Sequence, residues 1–224
     1  MESMIRQFYE IPGNIVMLHD GECLFREGEH ARYFYLVRSG QICIMKYAGT
    51  GRVLALRLAT RDSIIGELPL YEENPTYIFN AIAQTSSEVY AIEFPTLHSY
   101  LEKKPVLAIN LMKLIGMHMR KQHSKFRDLV LYGKKGAFYS TLIRLANSYG
   151  QEKEDGILLS VPLTNQDLAN YSATARESLN RMMGELRRLG VLEMRGSLIL
   201  IKNIGYLKEE IQCEECGREI CNIE

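Results

Sequence analysis

Residues 162–201 constrain the fold more than any other stretch, because two short helical patterns follow one another there. Thr164 is a suitable N-cap for a first helix that reaches Tyr171, since its hydroxyl oxygen can accept a hydrogen bond from a first-turn amide. A second helix is predicted from about Thr174 to Leu189. The short turn between the two helices is typical of DNA-binding domains.

The second helix has one apolar side and one polar side. The apolar side recurs at three- and four-residue steps and consists of Leu179, Met182, Met183, Leu186 and Leu189. The other side carries Arg176, Glu177, Asn180 and Arg181. Gly190 tolerates the left-handed conformation that ends many helices, and a hairpin is predicted at 192–201. Helix, turn, helix and hairpin in this order predict a winged helix-turn-helix.

The polar side of the second helix has the chemistry needed to read a DNA major groove. A guanidinium group can bind guanine O6 and N7 together, and a carboxylate can accept a hydrogen bond from cytosine N4. An amphipathic helix whose charges merely face solvent is the alternative. The order of the four elements favours the DNA-binding interpretation.

The run 175–181 resembles the recognition helix of the CRP/FNR family of bacterial transcription regulators. In the catabolite-activator branch of that family, an R-E-x-x-x-R pattern reads a TGTGA-type half-site, and Arg176, Glu177 and Arg181 match it. The Fnr branch carries a serine where Asn180 stands. The resemblance therefore implies a TGTGA-type palindromic DNA site, with the outermost base left open.

Net charge is zero over the 224 residues, but its distribution suits a nucleic-acid-binding domain. Residues 134–208 contain 11 Lys/Arg and 7 Asp/Glu, a balance of +4, whereas residues 209–224 contain 6 acids and one Arg, a balance of −5. The basic domain can attract phosphates. No apolar run approaches the roughly 20 residues of a membrane span. Five cysteines and the absence of a signal-peptide pattern lead us to expect a cytoplasmic protein.

Residues 1–101 are predicted to form an antiparallel β-roll, because short β-favouring runs alternate there with glycine turns. This segment resembles the cyclic-nucleotide-binding domain, and 66–73 is similar to the opening of its phosphate cassette. The arginine and serine that hold a cyclic phosphate in cAMP-binding relatives are replaced by Tyr77 and Ile78. A phenol and a hydrocarbon cannot replace a bidentate cation, so cAMP binding is not expected. Glu67 is interpreted as a structural carboxylate or part of a polymerase-contact surface.

A catalytic role has little support in the sequence. The five histidines are scattered and include no H-x-H pair, and no recognisable catalytic triad, P-loop or paired catalytic carboxylate occurs. We therefore expect a protein that is not an enzyme.

Residues 102–133 are predicted to form a long dimerisation helix. Apolar residues recur there as an a/d heptad seam that includes Met112, Ile115, Met119 and Phe126. A second stripe of Leu107, Leu111 and Leu114 is positioned to lie on the β-roll. A helix buried on both faces within one chain is the alternative. The glycines of 133–136 predict a break before the next helix, 137–149.

The tail contains Cys213, Cys216 and Cys221 among acidic residues, which argues against a hydrophobic role. Such short spacing lets a loop bring several thiolates to one compact inorganic centre. Structural zinc prefers four ligands, whereas a [4Fe–4S] cluster accepts three cysteines and a foreign fourth ligand. The spacing alone leaves zinc and iron–sulfur open, with free thiols a third option.

The whole chain resembles the Gram-positive Fnr branch of the CRP/FNR family, whose cysteines lie at the C-terminus. That resemblance implies one [4Fe–4S] cluster per subunit, bound by Cys213, Cys216, Cys221 and an aspartate that matches Asp128. A solvent-facing Asp128 paired with Lys125 or Arg127 is the alternative. The implied function is oxygen-responsive transcription regulation by a homodimer, with RNA polymerase as a further partner.

The predicted architecture is therefore α+β, with four segments. They are a β-roll domain (1–101), a dimerisation helix (102–133), a winged helix-turn-helix domain (134–207) and a cluster-binding tail (208–224). Two other functions remain open. One is a regulator with a zinc-binding tail and an unidentified effector in the β-roll, and the other is a β-roll ligand-binding protein that does not bind DNA.

Overall fold

A computed structural model describes residues 2–49, 51–66 and 74–224. The chain divides into two compact units. The first comprises Met1–Lys46 and Leu56–Gly116 with Glu224, and the second comprises Tyr47–Ala55 and Met117–Ile223. The phosphate-cassette-like run with Glu67 lies outside the described residues, so its predicted roles stay predictions.

The N-terminal half of the chain is an antiparallel β-roll, as predicted. It opens with α1 (Glu2–Arg6) and a 3-10 turn (Gln7–Glu10). The strands are β1 (Asn14–Leu18), β2 (Cys23–Phe25), β3 (Tyr33–Ser39), β4 (Ile42–Tyr47), β5 (Val53–Ala59), β6 (Ile64–Ile65), β7 (Asn80–Ala83) and β8 (Ser87–Glu93). They form two four-stranded sheets with the orders β1-β8-β3-β6 and β2-β7-β4-β5. Helix α2 (Phe94–Lys103) follows.

In the first sheet, β3 is buried on both faces, which explains its apolar run. Tyr35 and Val37 contribute to a core shared with the second sheet, while Phe34 and Leu36 contribute to another core with α1 and α2. Successive side chains of a strand point to opposite faces, so one strand can serve two cores. The stripe of Leu107, Leu111 and Leu114 is buried in the second of these cores, which confirms its predicted contact with the β-roll.

Helix α3 (Pro105–Tyr149) includes the predicted dimerisation helix and the helix after it. Gly133 interrupts it with φ 62° and ψ −155°, which confirms the predicted break. The helix begins at Pro105 and not at 102, because a residue that precedes proline is disfavoured in the helical conformation. Lys104 accordingly leaves the helical region and separates α2 from α3.

The second unit is a helical domain with a small sheet. After α3 come β9 (Gly150–Lys153), β10 (Gly156–Leu159), α4 (Asn165–Tyr171), α5 (Arg176–Arg188), β11 (Leu192–Arg195), β12 (Leu198–Ile201) and α6 (Ile204–Glu210). The sheet has the order β11-β12-β10-β9. Leu142 and Leu145 of α3 are buried in one core with apolar residues of α4 and α5.

Two features of this unit were not predicted. The sequence interpretation contains no β9–β10 hairpin, and α6 crosses the boundary proposed at 207/208 between winged helix and tail. None of the helices in the described ranges combines the length and hydropathy that a bilayer crossing requires.

Candidate nucleic-acid interface and cysteine site

A capping box fixes the first residue of α4. The Thr164 side-chain oxygen accepts a hydrogen bond from the Asp167 amide at 3.1 Å, and the Asp167 carboxylate accepts one from the Thr164 amide at 2.8 Å. These reciprocal bonds satisfy two amides that a helix start leaves without partners. The predicted N-cap role of Thr164 is confirmed.

The turn between α4 and α5 is held by local contacts. Ser172 is buried and its hydroxyl donates to the Leu168 carbonyl at 2.6 Å. Ala173 adopts a left-handed conformation with φ 52°. That conformation costs a residue with a side chain about 1–2 kcal/mol, so the surrounding packing must stabilise this tight turn. The turn thereby sets the direction of α5.

Helix α5 divides into a buried and an exposed face, as predicted. The buried face is formed by Leu179, Met182, Met183 and Leu186. The exposed face carries all four predicted base-reading residues, Arg176, Glu177, Asn180 and Arg181. Leu189 was assigned to the apolar stripe, but this was wrong, because it is 55% exposed. It caps the helix, and Gly190 beyond it adopts the expected left-handed conformation with φ 69°.

One polar contact connects the two helices of the helix-turn-helix. The Asn165 side-chain amide, at the first position of α4, donates to the side-chain oxygen of Asn180 at 2.7 Å. The sequence interpretation did not include Asn165. Its only sequence signal was its place next to the capping residue Thr164.

The wing has its basic groups largely paired with acids. Arg195 forms ion pairs with Asp155 and with Glu193, and Lys202 lies 3.3 Å from Glu193. Hydrogen bonds from Arg195 and Lys202 lower the pKa of Glu193. The wing therefore presents less positive charge than its composition suggests, and α5 carries the larger share of the recognition chemistry.

The predicted dimerisation residues lie on α3 with largely exposed side chains. Met112, Met119 and Phe126 are 63%, 53% and 67% exposed, and they are spaced seven residues apart. Ile115 is half-buried and packs partly against the core that contains Leu111. Large apolar side chains so exposed at heptad spacing are typical of a helix that pairs with another helix.

Cys221 interacts with both of the other tail cysteines. Cys213 and Cys216 are half-buried and pack against the winged-helix core, and Cys221 is buried. Burial raises the pKa of the Cys221 thiol to about 11, and a hydrogen bond with Cys216 and the proximity of Cys213 contribute. Gln212 and Glu215 have positive φ values of 44° and 50°, so the backbone turns sharply beside both half-buried cysteines.

Asp128 lies on α3 with only 1% of its surface exposed, in contrast to the solvent-facing alternative. Its Oδ2 accepts hydrogen bonds from Ser140 at 2.5 Å and from the Arg144 guanidinium at 3.1 Å. Its Oδ1 accepts from the Arg127 guanidinium at 2.6 Å. A carboxylate buried this deeply needs such partners, because desolvation would otherwise cost several kcal/mol.

Arg144 and Arg127 each link Asp128 to the tail. Arg144 is 2% exposed and donates through Nη1 to the Ile220 carbonyl at 3.3 Å. Arg127 also forms an ion pair with Glu214. The structure thus brings Asp128 and the tail to the same two guanidinium groups. Sequence interpretation missed Arg144, although a lone basic residue in the apolar run 138–146 was a usable signal.

The donor set fits an iron–sulfur cluster in its chemistry. Three thiols, of which Cys221 lies near the other two, and one carboxylate are the mixed ligands that a [4Fe–4S] cluster accepts, and two guanidinium groups beside them offset the negative charge. In the described ranges, however, no three His, Cys, Asp or Glu side chains already stand in a ligand arrangement. Binding of one cluster by all four ligands therefore requires side-chain movement in the tail.

Tyr77 occupies the interior of the β-roll. Its ring stacks on Phe25 with centroids 3.8 Å apart, and its hydroxyl donates to the Tyr33 carbonyl at 3.0 Å. Ile78, the second replacement residue, is 52% exposed. An aromatic side chain therefore stands in the core at Tyr77, the residue predicted to replace the phosphate-binding arginine.

Two domain families match this chain. A cyclic nucleotide-binding domain matches residues 15–104, and a Crp-like helix-turn-helix domain matches residues 139–210. Over 203 residues the chain is 49% identical to the anaerobic regulatory protein of Bacillus subtilis, which covers 90% of this chain and 85% of that protein. It is 24% identical over 185 residues to a CRP-like cAMP-activated global transcriptional regulator of Mycobacterium tuberculosis, covering 82% and 81%.

The fold recurs in solved structures. The c-di-GMP-responsive global regulator CLP of Xanthomonas campestris superposes with a TM-score of 0.76 at 21% identity, covering 91% of this chain and 100% of that one. A CooA mutant from Carboxydothermus hydrogenoformans gives 0.76 at 16% identity, covering 93% and 90%. These two likenesses concern the fold alone. Together with the domain matches and the 49% identical relative, they complete the assignment: this chain is a DNA-binding transcription regulator of the CRP/FNR family and not an enzyme.

Proposed function

We propose that this protein is an oxygen-responsive regulator that binds a TGTGA-type palindrome as a homodimer when it carries one [4Fe–4S] cluster per subunit. The observation that carries the proposal is the tail, whose three cysteines lie close together and whose backbone is bound by Arg144, the residue that also binds Asp128. The anaerobic regulatory protein of Bacillus subtilis, 49% identical, supports a role in anaerobic regulation.

Helix α5 is the base-reading element in this proposal. Arg176 at its start suits a bidentate contact with guanine, and Glu177 can accept a hydrogen bond from cytosine N4. Arg181 lies one turn beyond Glu177, on the same exposed face. Because the buried face holds the helix on the winged-helix core, these side chains have a firm support from which to read bases.

Dimerisation through α3 would supply the palindromic recognition. Met112, Met119 and Phe126 offer exposed apolar surface at one position of the heptad. A two-fold dimer would present two copies of α5 to half-sites about one helical turn of DNA apart.

Cys213, Cys216, Cys221 and Asp128 would hold the cluster. A [4Fe–4S] cluster supplies oxygen-reactive iron chemistry when it is bound. The chain itself links the tail to α3 through Arg144, through the Asn147 amide, which donates to the Cys221 carbonyl at 2.7 Å, and through Ser148, which accepts from the Ile223 amide at 3.1 Å. Cluster ligands on both the tail and α3 would strengthen this link. A cluster that stabilises the DNA-binding arrangement by a few kcal/mol more than the other arrangement is enough to shift a two-state equilibrium.

Anaerobic isolation followed by iron, sulfide and zinc analysis tests the proposal. DNA binding is then measured on a TGTGA palindrome before and after exposure to air. We expect iron and sulfide in the protein and tight binding that air abolishes. Cys216→Ser should remove the air-dependent difference while the dimer persists, and Cys23→Ser, a half-buried cysteine in the β-roll, should behave like the wild type.

Two results would overturn the proposal. Iron-free and iron-loaded protein could bind the palindrome equally well, which would leave an ordinary dimeric regulator. Alternatively the protein could contain zinc and no iron, which would identify the tail as a zinc site.

A further inference from the structure

Asn180 occupies a central place on the exposed face of α5, between Arg176 one turn before it and its neighbour Arg181. Its side-chain oxygen accepts the hydrogen bond from Asn165 at 2.7 Å. Asn165 directly follows Thr164, whose capping box fixes the start of α4. Asn180 is thus the base-facing residue whose orientation is tied to another helix.

The occupied oxygen limits how Asn180 can read a base. A carboxamide has one oxygen that accepts and one NH2 group that donates, and a bidentate contact with adenine needs both. The bond from Asn165 uses one of the two lone pairs of this oxygen and turns the oxygen toward Asn165, so we expect the NH2 group to face the groove. Guanine, adenine and thymine offer acceptors at their major-groove edges, whereas cytosine offers only its N4 donor.

We propose that Asn165 is a specificity-determining positioning residue, which fixes the Asn180 carboxamide with its NH2 group toward the DNA. Asn180 then favours a base with a major-groove acceptor, namely guanine, adenine or thymine, over cytosine at the base it faces. This inference rests on the proposed reading of DNA by α5. Because Asn180 differs from the serine of the Fnr branch, the sequence left the outermost base of the half-site open. The inference assigns this base to those that offer an acceptor in the major groove.

The pair gains importance in the complex. On the free surface, a neutral hydrogen bond between exposed side chains is weakened by competition with water. Once the groove excludes water, the same bond is stronger, and leaving one partner unpaired becomes costly. Asn165 therefore affects the choice of base more than it affects the stability of the free protein.

A matched control exists on the same helix. The Gln166 side-chain amide donates to Asn170 at 2.9 Å, and both residues are on α4. This bond joins two amides, as the Asn165–Asn180 bond does, but it does not reach α5. Gln166→Ala therefore removes a similar bond without releasing the recognition helix.

The test measures binding of the anaerobically isolated full chain to a panel of palindromic duplexes that carry each base in turn at every half-site position. We expect Asn180→Ala to reduce discrimination at one base pair, and Asn165→Ala to reduce it at the same base pair by about threefold to tenfold, the range of one hydrogen bond. The double variant should lose no more than Asn180→Ala alone. Gln166→Ala should leave the base preferences unchanged.

Three outcomes would overturn the inference. Asn165→Ala could weaken binding to all duplexes equally, which would make Asn165 a phosphate contact. It could alter a base pair that Asn180→Ala does not alter. The wild type could also prefer cytosine at the base read by Asn180. If the wild-type chain bound no duplex selectively, the proposed function would fail as well, and this result is distinct from the other three.

Discussion

Among the described residues that are almost completely buried, Arg144 has the largest side chain. Its guanidinium group donates to the Asp128 carboxylate, to the hydroxyls of Ser124 and Ser140, and to the Ile220 carbonyl. A charge at such depth is tolerated only when both Coulomb attraction and hydrogen bonds replace its hydration. The Asp128–Arg144 pair therefore orders the junction between α3 and the tail more than it adds to net stability.

Removal of Arg144 should be strongly destabilising. Arg144→Met removes a guanidinium partner of the buried Asp128 carboxylate. Loss of one partner of a buried ion pair typically costs about 3–5 kcal/mol. Chemical denaturation of the metal-free protein measures this loss in the free energy of unfolding. The double variant Asp128→Leu, Arg144→Met should recover much of it, because no buried charge remains. A loss below about 1 kcal/mol in the single variant would contradict the buried ion pair.

Arg176 is expected to read a base and not only a phosphate. Arg176→Ala should cost about 1–3 kcal/mol of binding free energy on the cognate half-site and much less on a site with that base pair replaced. Electrophoretic or fluorescence titrations at fixed salt concentration give both values. Arg187→Ala, an exposed arginine in the last turn of α5, is the matched comparison. An equal loss on every duplex would identify Arg176 as a phosphate contact.

The sequence predicted the members of the candidate sites but not their contacts. Arg176, Glu177, Asn180 and Arg181 could be grouped because helical periodicity alone puts them on one face. The bond from Asn165 to Asn180 depends on the angle between two helices, which no local pattern encodes. The burial of Asp128 likewise depends on how the chain turns at Gly133.

At the scale of elements, one glycine inside α5 and one just beyond its C-terminal end offer a test of backbone conformation. Gly190 has φ 69°, whereas Gly184 lies within α5, and an added Cβ would meet nothing within 4 Å at either position. Gly190→Ala should therefore destabilise the protein by about 1–2 kcal/mol through conformation alone. Gly184→Ala should stabilise it by about 0.5–1 kcal/mol, because alanine is the better helix former. Denaturation curves of the two variants that shift in the same direction would refute this account.

Elements with their own periodicity or capping residues were predictable, and those that depend on a partner strand were not. Thr164 as N-cap predicted the start of α4, and Gly190 predicted the end of α5. The strand β9 has all four residues exposed and no apolar alternation, so only its pairing with β10 makes it a strand. Helix α6 is seven residues long and contains Gly205, which weakens any helical pattern.

At the scale of the whole molecule, the predicted function requires two chains, and the exposed heptad residues of α3 allow a direct test. Burial of a Phe or Met side chain contributes about 1.5–3 kcal/mol, and a two-fold interface buries each of them twice. Phe126→Lys replaces a 67% exposed ring with a charge at that interface. We expect the dimer dissociation constant to rise by about a hundredfold or more, with monomers at micromolar concentration in sedimentation velocity.

The same variant separates assembly from base reading, because Phe126 lies on α3 and not on the helix-turn-helix. The Phe126→Lys monomer should lose most of its affinity for the full palindrome but keep its relative preference among single half-sites, since α5 is unchanged. His123→Lys, an exposed change on the same helix outside the seam, is the control for added charge and should remain dimeric. If Phe126→Lys stays dimeric and binds the palindrome like the wild type, α3 does not form the dimer through this seam, and the two recognition helices must be paired by another surface.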